Sequence, residues 1–161
     1  MTLKEFELTD DNHFVAMEYY MLLLNRTYLV LLTKDCLVGI VGNGIVSIES
    51  GGDIFTKKIT ANLAIRGDLS NPHSYLKEKY IRSIENDNLF DGSILTKNKS
   101  NFLIERGNIL SSTYDSSKKW GMGYYPHDGK VYIRTRDNKK RELIILGNQS
   151  GQKIANLISP K

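Results

Sequence analysis

Few residues of this 161-residue chain have types and spacings that could do chemistry. The three histidines, His13, His73 and His127, are scattered, and none stands at a metal-ligand spacing from a Cys, Asp or Glu. His127 adjoins Asp128 in what reads as a hairpin loop, where neighbouring side chains diverge. It is expected to be a solvated loop histidine rather than a general base, and His73 to be exposed in the first turn of a helix. The carboxylates, among them Glu18, Glu105 and Glu142, show no spacing that forces two together, so acid/base catalysis finds no support. Cys36 is the single cysteine. That excludes an internal disulfide and a Cys-pair metal site, and between Asp35 and Leu37-Val38 it reads as a small buried hydrophobe. Gly39-Ile40-Val41-Gly42-Asn43-Gly44 lacks the following helix of a dinucleotide fingerprint, and Gly51-Gly52 lacks the Lys-Ser/Thr of a phosphate loop. Both read as turn glycines. The sequence therefore implies no cofactor, no metal and no enzyme.

Two segments are better suited to binding. Lys118-Lys119-Trp120-Gly121-Met122-Gly123-Tyr124-Tyr125 sets two cations beside three aromatic rings, as a stacking surface or peptide groove requires. The plainer reading of the same residues is a strand whose alternating Trp120, Met122 and Tyr124 pack a core. The second segment runs from Lys130 to Arg141. It holds Lys130, Arg134, Arg136, Lys139, Lys140 and Arg141 against one acid, Asp137. In a strand, Lys130, Tyr132, Arg134 and Arg136 share one face and Val131, Ile133 and Thr135 the other. The basic face would hold phosphates of a lipid headgroup or nucleic acid, or it is a solvated outer face whose cations discourage edge-to-edge association.

Composition sets the frame for these segments. A formal charge of +4 and a pI of about 9.1 are mildly basic, short of the concentrated charge of a dedicated nucleic-acid binder. With 40% hydrophobic and 25% charged residues, the chain can fold as a single domain over 1–161 without a disulfide or metal. The acidic N-terminus has no signal-peptide pattern, and Asn25-Arg26-Thr27 interrupt the apolar stretch Tyr19–Leu32 before it could span a membrane. A cytoplasmic location is expected.

The elements that must position these residues are mostly strands. Residues 14–24 suit either a helix, through Ala16, Met17, Tyr20, Met21 and Leu24, or a strand turning at Asn25-Arg26. Thr27–Thr33 and Cys36–Val41 read as strands, and Asn43-Gly44 as a hairpin turn before a strand at Ile45–Glu49. Ser50-Gly51-Gly52-Asp53 breaks the pattern ahead of a further strand within Ile54–Ile65. Pro72, capped by Ser70 or Asn71, opens a helix to Asn86 in which Glu78 and Arg82 pair four apart. Leu95–Ser100 reads as a polar connection. Strands follow at Phe102–Ile104, Ile109–Tyr114, Lys119–Tyr125, Lys130–Arg136 and Arg141–Leu146, with turns at Gly107-Asn108, Asp128-Gly129 and Asp137-Asn138. An amphipathic helix, Gln149–Ser159, sets Ile154, Leu157 and Ile158 on one face. The fold class is β-rich α+β: a strongly bent antiparallel sheet or partly open barrel with a C-terminal capping helix and one inserted helix near 72–86.

Two stretches resemble bacterial pleckstrin-homology and GRAM-type domains. Tyr28-Leu29-Val30-Leu31-Leu32-Thr33-Lys34-Asp35-Cys36-Leu37-Val38-Gly39 is similar to their early hairpin, and the C-terminal strands followed by the Gln149–Ser159 helix match how that fold closes. The resemblance covers about half the chain, with a helical insertion at about 70–92. It implies a seven-stranded bent sheet plugged by the helix and a binding platform rather than a catalyst. The leading expectation is a module for a protein or peptide partner, with Trp120, Tyr124, Tyr125 and the basic hairpin as its surface. The alternatives are an anionic lipid or nucleic acid held by that hairpin, and a small enzyme with an unrecognised site. Pairing of sheet edges offers a route to a homodimer.

Overall fold

The computed structural model describes residues 1–21, 24–46, 68–122 and 125–160. Strands β1 (His13–Met21), β2 (Leu24–Leu32), β3 (Cys36–Val46), β4 (Phe102–Glu105), β5 (Ile109–Asp115), β6 (His127–Thr135) and β7 (Lys140–Leu146) alternate with three short helices, α1 (Glu78–Arg82), α2 (Ser93–Lys97) and α3 (Gly151–Ile158). The strands form one antiparallel sheet in the order β4-β3-β2-β1-β7-β6-β5, curled into a half-barrel. The expected fold class stands. The residues 14–24 left open by the sequence are extended as far as Met21, and Asn25 and Arg26 lie inside β2 instead of at a turn.

Alternation sorts the sheet into two cores. Inside the curl lie Phe14 and Ala16 of β1, Tyr28 and Val30 of β2, Val131 and Ile133 of β6, and Leu143 and Ile145 of β7, with Ile154, Ala155 and Ile158 of α3. On the outer face, Val15, Met17, Leu29, Leu31, Ile144 and Leu146 pack under Leu3, Tyr75, Ile84, Leu89, Ile94 and Met122 from the connecting segments. Strands buried on both faces need unbroken apolar runs, which is why β2 reads Tyr28-Leu29-Val30-Leu31-Leu32 and β7 ends Leu143-Ile144-Ile145-Leu146. β6 is covered on its inner face alone, so its burial alternates residue by residue from Lys130 to Arg134.

Several local expectations give way to tertiary pairing. Asn43-Gly44 makes no hairpin turn, because Asn43 sits opposite Thr27 in a β3 that continues past it, with an extra residue bulged at Gly42. Gly39 is a strand glycine too: the Phe102 ring lies directly over it, and a Cβ there would overlap the ring carbons. Asp128-Gly129 lies within β6, where Gly129 takes φ +63° at a register shift. The expected helix from Pro72 to Asn86 is a 3-10 turn, Pro72–Tyr75, and then α1. Leu76 and Lys77 between them are extended because the Lys77 N–H donates to the Gly42 carbonyl of β3 at 2.7 Å. The Asn71 cap and the Glu78–Arg82 pair form as expected. α2 occupies part of the supposed polar connection and buries Ile94. The proposed strand within 54–65 and the break at 50–53 lie outside the described residues.

Gly39→Ala is expected to destabilise the fold by about 3 kcal/mol, the upper range for overpacking, as read from the urea midpoint. The double variant Gly39→Ala/Phe102→Ala should lose about 1 kcal/mol less than the sum of the single losses. Strict additivity would show that the ring is not the obstacle.

Candidate functional site

The β6–β7 hairpin carries most of the residues singled out for binding. As the strand pattern requires, Val131, Ile133 and Thr135 are buried while Lys130, Tyr132 and Arg134 face out. Across the ladder, Arg134 pairs with Lys140 and Tyr132 with Glu142 on β7. The Lys140 ammonium lies 4.2 Å from the Tyr132 ring centroid, a cation–π contact on the outer face. Lys130 is held at the other end of the strand: its Nζ is 2.9 Å from the Asp115 carboxylate and donates to Ser117 Oγ at 2.8 Å. Lys139 pairs with Asp137 at the exposed turn, and Arg136 donates from Nε to the Gly107 carbonyl.

Arg141 does not belong to this surface. It alternates with Lys140 and so points into the curl. There its guanidinium lies 3.8 Å from the Phe102 ring centroid and donates to the Glu18 carboxylate at 2.7 Å. Burial pushes the Glu18 carboxyl up from its ordinary value, and Arg141 pulls it back only in part. Burial and the Glu18 charge together push the neighbouring Tyr28 hydroxyl up to about 12. This ion pair lies on the inner faces of β1 and β7, half-buried, where Arg141 also lines the cleft at the open side of the half-barrel.

The aromatic segment is a loop in its described part, not the expected strand from Lys119 to Tyr125. Trp120 is 83% exposed, whereas Met122 is buried in the outer core. Tyr125 is half-buried with its ring 6.0 Å from that of Tyr75, which takes it off the surface. Tyr124 lies outside the described residues. The loop leans on the hairpin through Lys119, whose Nζ meets Glu142 at 2.5 Å. Lys119 thus joins Tyr132, Arg134 and Lys140 on the outer face, and the exposed Trp120 follows it in the chain.

His127 holds that loop in place. It is buried in β6 rather than solvated. Nδ1 donates to the Tyr125 carbonyl at 2.9 Å, and Nε2 accepts the Lys119 N–H at 3.1 Å. The Lys118 ammonium donates to the His127 carbonyl. With both ring nitrogens committed, the imidazole is neutral and fixed in one tautomer. Burial lowers its pKa, and Lys118 and Lys130 add to the effect against the opposing pull of the Tyr125 carbonyl and Asp128.

Sequence spacing missed one pair. His13 opens β1 and His73 sits in the 3-10 turn, 60 residues apart, yet their Nε2 atoms stand 3.3 Å from each other. They line a cleft of about 440 Å³ with Asp10, Asn71 and Gln149. A second cleft, about 720 Å³, lies where the half-barrel opens between β4 and β7, lined by Phe102, Ile104, Ile133 and Lys140. Among the described residues no three His, Cys, Asp or Glu side chains gather as a metal cluster, and no helix is long and apolar enough to cross a membrane. No family model, no curated protein and no solved structure matches the chain.

Two outcomes follow from the titratable groups. Arg141→Met should cost about 2 kcal/mol in a urea melt, because it leaves a half-buried carboxylate with only Tyr28 and Arg26 to offset its charge, whereas Lys139→Met should cost under about 0.5 kcal/mol. A carboxyl raised in the fold keeps a proton that the unfolded chain releases. Its stabilisation is therefore present at low pH and lost as pH climbs through the folded pKa. Arg141→Met raises that pKa further, so its deficit should be smaller at pH 5 than at pH 8. His127 has the opposite sense. Its folded pKa is depressed, so the unfolded chain binds the proton first, and stability should fall as pH drops below the ordinary value of 6.5. Thermal melts between pH 7.5 and 5.5 should show this fall in the native chain and less of it in His127→Gln.

Proposed function

We propose that the chain is a non-enzymatic binding module for a protein or peptide, and that it engages its partner through the outer face of the β6–β7 hairpin and the adjoining Trp120 loop. The observation that carries this reading is the position of Trp120. A large exposed ring in a loop that Lys119 ties to the hairpin bearing Tyr132, Arg134 and Lys140 has the composition of an interface anchor, since Trp, Tyr and Arg dominate binding hot spots. The scaffold beneath it is stiff: β6 is paired on both sides and Met122 anchors the loop in the core. A rigid platform spares a partner much of the ordering cost of association.

The likeness to pleckstrin-homology and GRAM-type domains belongs to the same proposal. What supports it is a seven-stranded antiparallel sheet, strongly curled, with α3 packed against β5 and β6 at the end of the chain. The Tyr28–Gly39 stretch that prompted the likeness is the β2–β3 hairpin. The exposed cations Arg134, Arg136, Lys139 and Lys140 at the hairpin tip support a second reading, an anionic lipid or nucleic-acid surface. One acid, Asp137, offsets them there.

Partner capture from a nuclease-treated lysate separates the two. Trp120→Ala should weaken capture of a discrete protein by about thirtyfold or more, the loss typical of a hot-spot residue, with little change in thermal stability. Binding that survives Trp120→Ala, disappears in Arg134→Glu/Lys140→Glu and falls steeply with added salt would transfer the assignment to a phosphate-bearing ligand.

A further inference from the structure

We infer that His13 and His73 form a binding site for a divalent transition-metal ion of the zinc class, in the cleft between the start of β1 and the Pro72–Tyr75 turn. The inference is independent of the partner surface described above. Its basis is geometric. The two Nε2 atoms stand 3.3 Å apart. Two imidazole nitrogens bound at zinc distances to one tetrahedral ion are separated by about 3.3–3.4 Å. Without metal, His73 Nε2–H donates to His13 Nε2 across this distance, and a bound ion takes the place of that hydrogen, His73 then carrying its proton on Nδ1.

The His13 ring is aimed by a carbonyl, and His73 is positioned through its backbone. His13 Nδ1 is 2.7 Å from the Thr9 carbonyl, which can only accept, so Nδ1 carries the hydrogen and Nε2 presents a bare lone pair to the cleft. A backbone carbonyl on the far nitrogen is the usual outer partner of a metal-binding histidine. His73 is placed by backbone: Pro72 begins the 3-10 turn, and Asn71 Oδ1 accepts the His73 N–H at 3.0 Å. The two rings are tilted by 43° with centroids 5.1 Å apart, not stacked, as suits convergence of two nitrogens on a common point.

The rest of the cleft carries both signs of charge. Asp10 lies on its wall, while Asn71 Oδ1 and Gln149 Oε1 are already held by the His73 and Val15 N–H groups. Lys153 also lines it, with its ammonium 2.7 Å from Asp11. With two protein ligands, the remaining positions fall to water or to a carboxylate brought in from Asp10. That is an open, exchangeable site rather than a closed structural zinc. Bound metal would tie β1 to the excursion between β3 and β4 and so stabilise the folded chain by mass action.

The test is calorimetric titration of the full chain with zinc chloride in a non-chelating buffer, beside His13→Asn and His73→Asn. In His13→Asn the new side-chain amide stays near the Thr9 carbonyl, so folding is preserved, and circular dichroism of the metal-free variants checks it. The expected result is one ion per chain, a rise in melting temperature with zinc, and at least about tenfold weaker binding in each single variant, a loss no smaller than outer-shell changes cause. Cobalt should give the intense visible bands of a four-coordinate ion in the native chain alone. Absence of binding at about 0.1 mM zinc, retention of affinity within about threefold in either variant, or a ratio of one ion to two chains would overturn the assignment.

Discussion

Everything in this molecule rests on an asymmetry of burial along one sheet. β1, β2 and the end of β7 are covered on both faces, inside by α3 and the opposing strands and outside by the N-terminal segment and the excursion between β3 and β4. β6 is covered on one face only. A doubly buried strand can carry little but apolar side chains, so chemistry is driven elsewhere. It goes to the outer face of the β6–β7 hairpin, to the ends of strands and to the connecting segments. Tyr132 and Lys140 occupy the first kind of place, Trp120, His13 and His73 the others. The same asymmetry sets stiffness, since the exposed face belongs to strands anchored against a core that cannot shift without exposing it.

Curling leaves a seam, because β4 and β5 are consecutive in the chain but stand at opposite ends of the sheet order. Polar side chains manage it. Arg106, in the short turn between them, donates to the Thr33 carbonyl at the end of β2 and to the Leu157 carbonyl in the last turn of α3. A cation at a helix C-terminus also meets the negative end of its dipole. Arg141 lies against Phe102 and binds Glu18 from inside. Arg106, and Arg141 through Phe102 of β4, thus join elements that no strand ladder joins.

The sequence disclosed the sheet, the C-terminal helix and the in/out alternation of β6, because β-branched and apolar periodicity registers burial directly. Turn signals were less trustworthy. Asn43-Gly44 and Asp128-Gly129 each have the chemistry of a hairpin, but each lies in a strand at a register shift, where a residue tolerant of unusual backbone angles serves a bulge equally well. Pro72 announced a helix start correctly, yet the Lys77 bond to Gly42 interrupts the helix after one turn, and no local pattern encodes a bond across 35 residues. The site residues divide in the same way. The outward set Tyr132, Arg134 and Lys140 could be read from period two. That Arg141 turns to the other face of β7 from Lys140 also follows from period two, but its partners there, Glu18 and Phe102, are remote in sequence. The approach of His13 to His73 is likewise a product of topology.

The lone tryptophan has a consequence for how this protein is observed. Its indole is in water, so its emission is already red-shifted in the native state and should change little when the two cores melt. Intrinsic fluorescence is thus a poor monitor of unfolding here, and nine tyrosines and backbone dichroism are the better ones. What the indole does report is its own surroundings: a partner that covers the β6–β7 face would desolvate it and shift its emission to the blue. The chain carries a built-in optical probe at the surface where recognition is proposed.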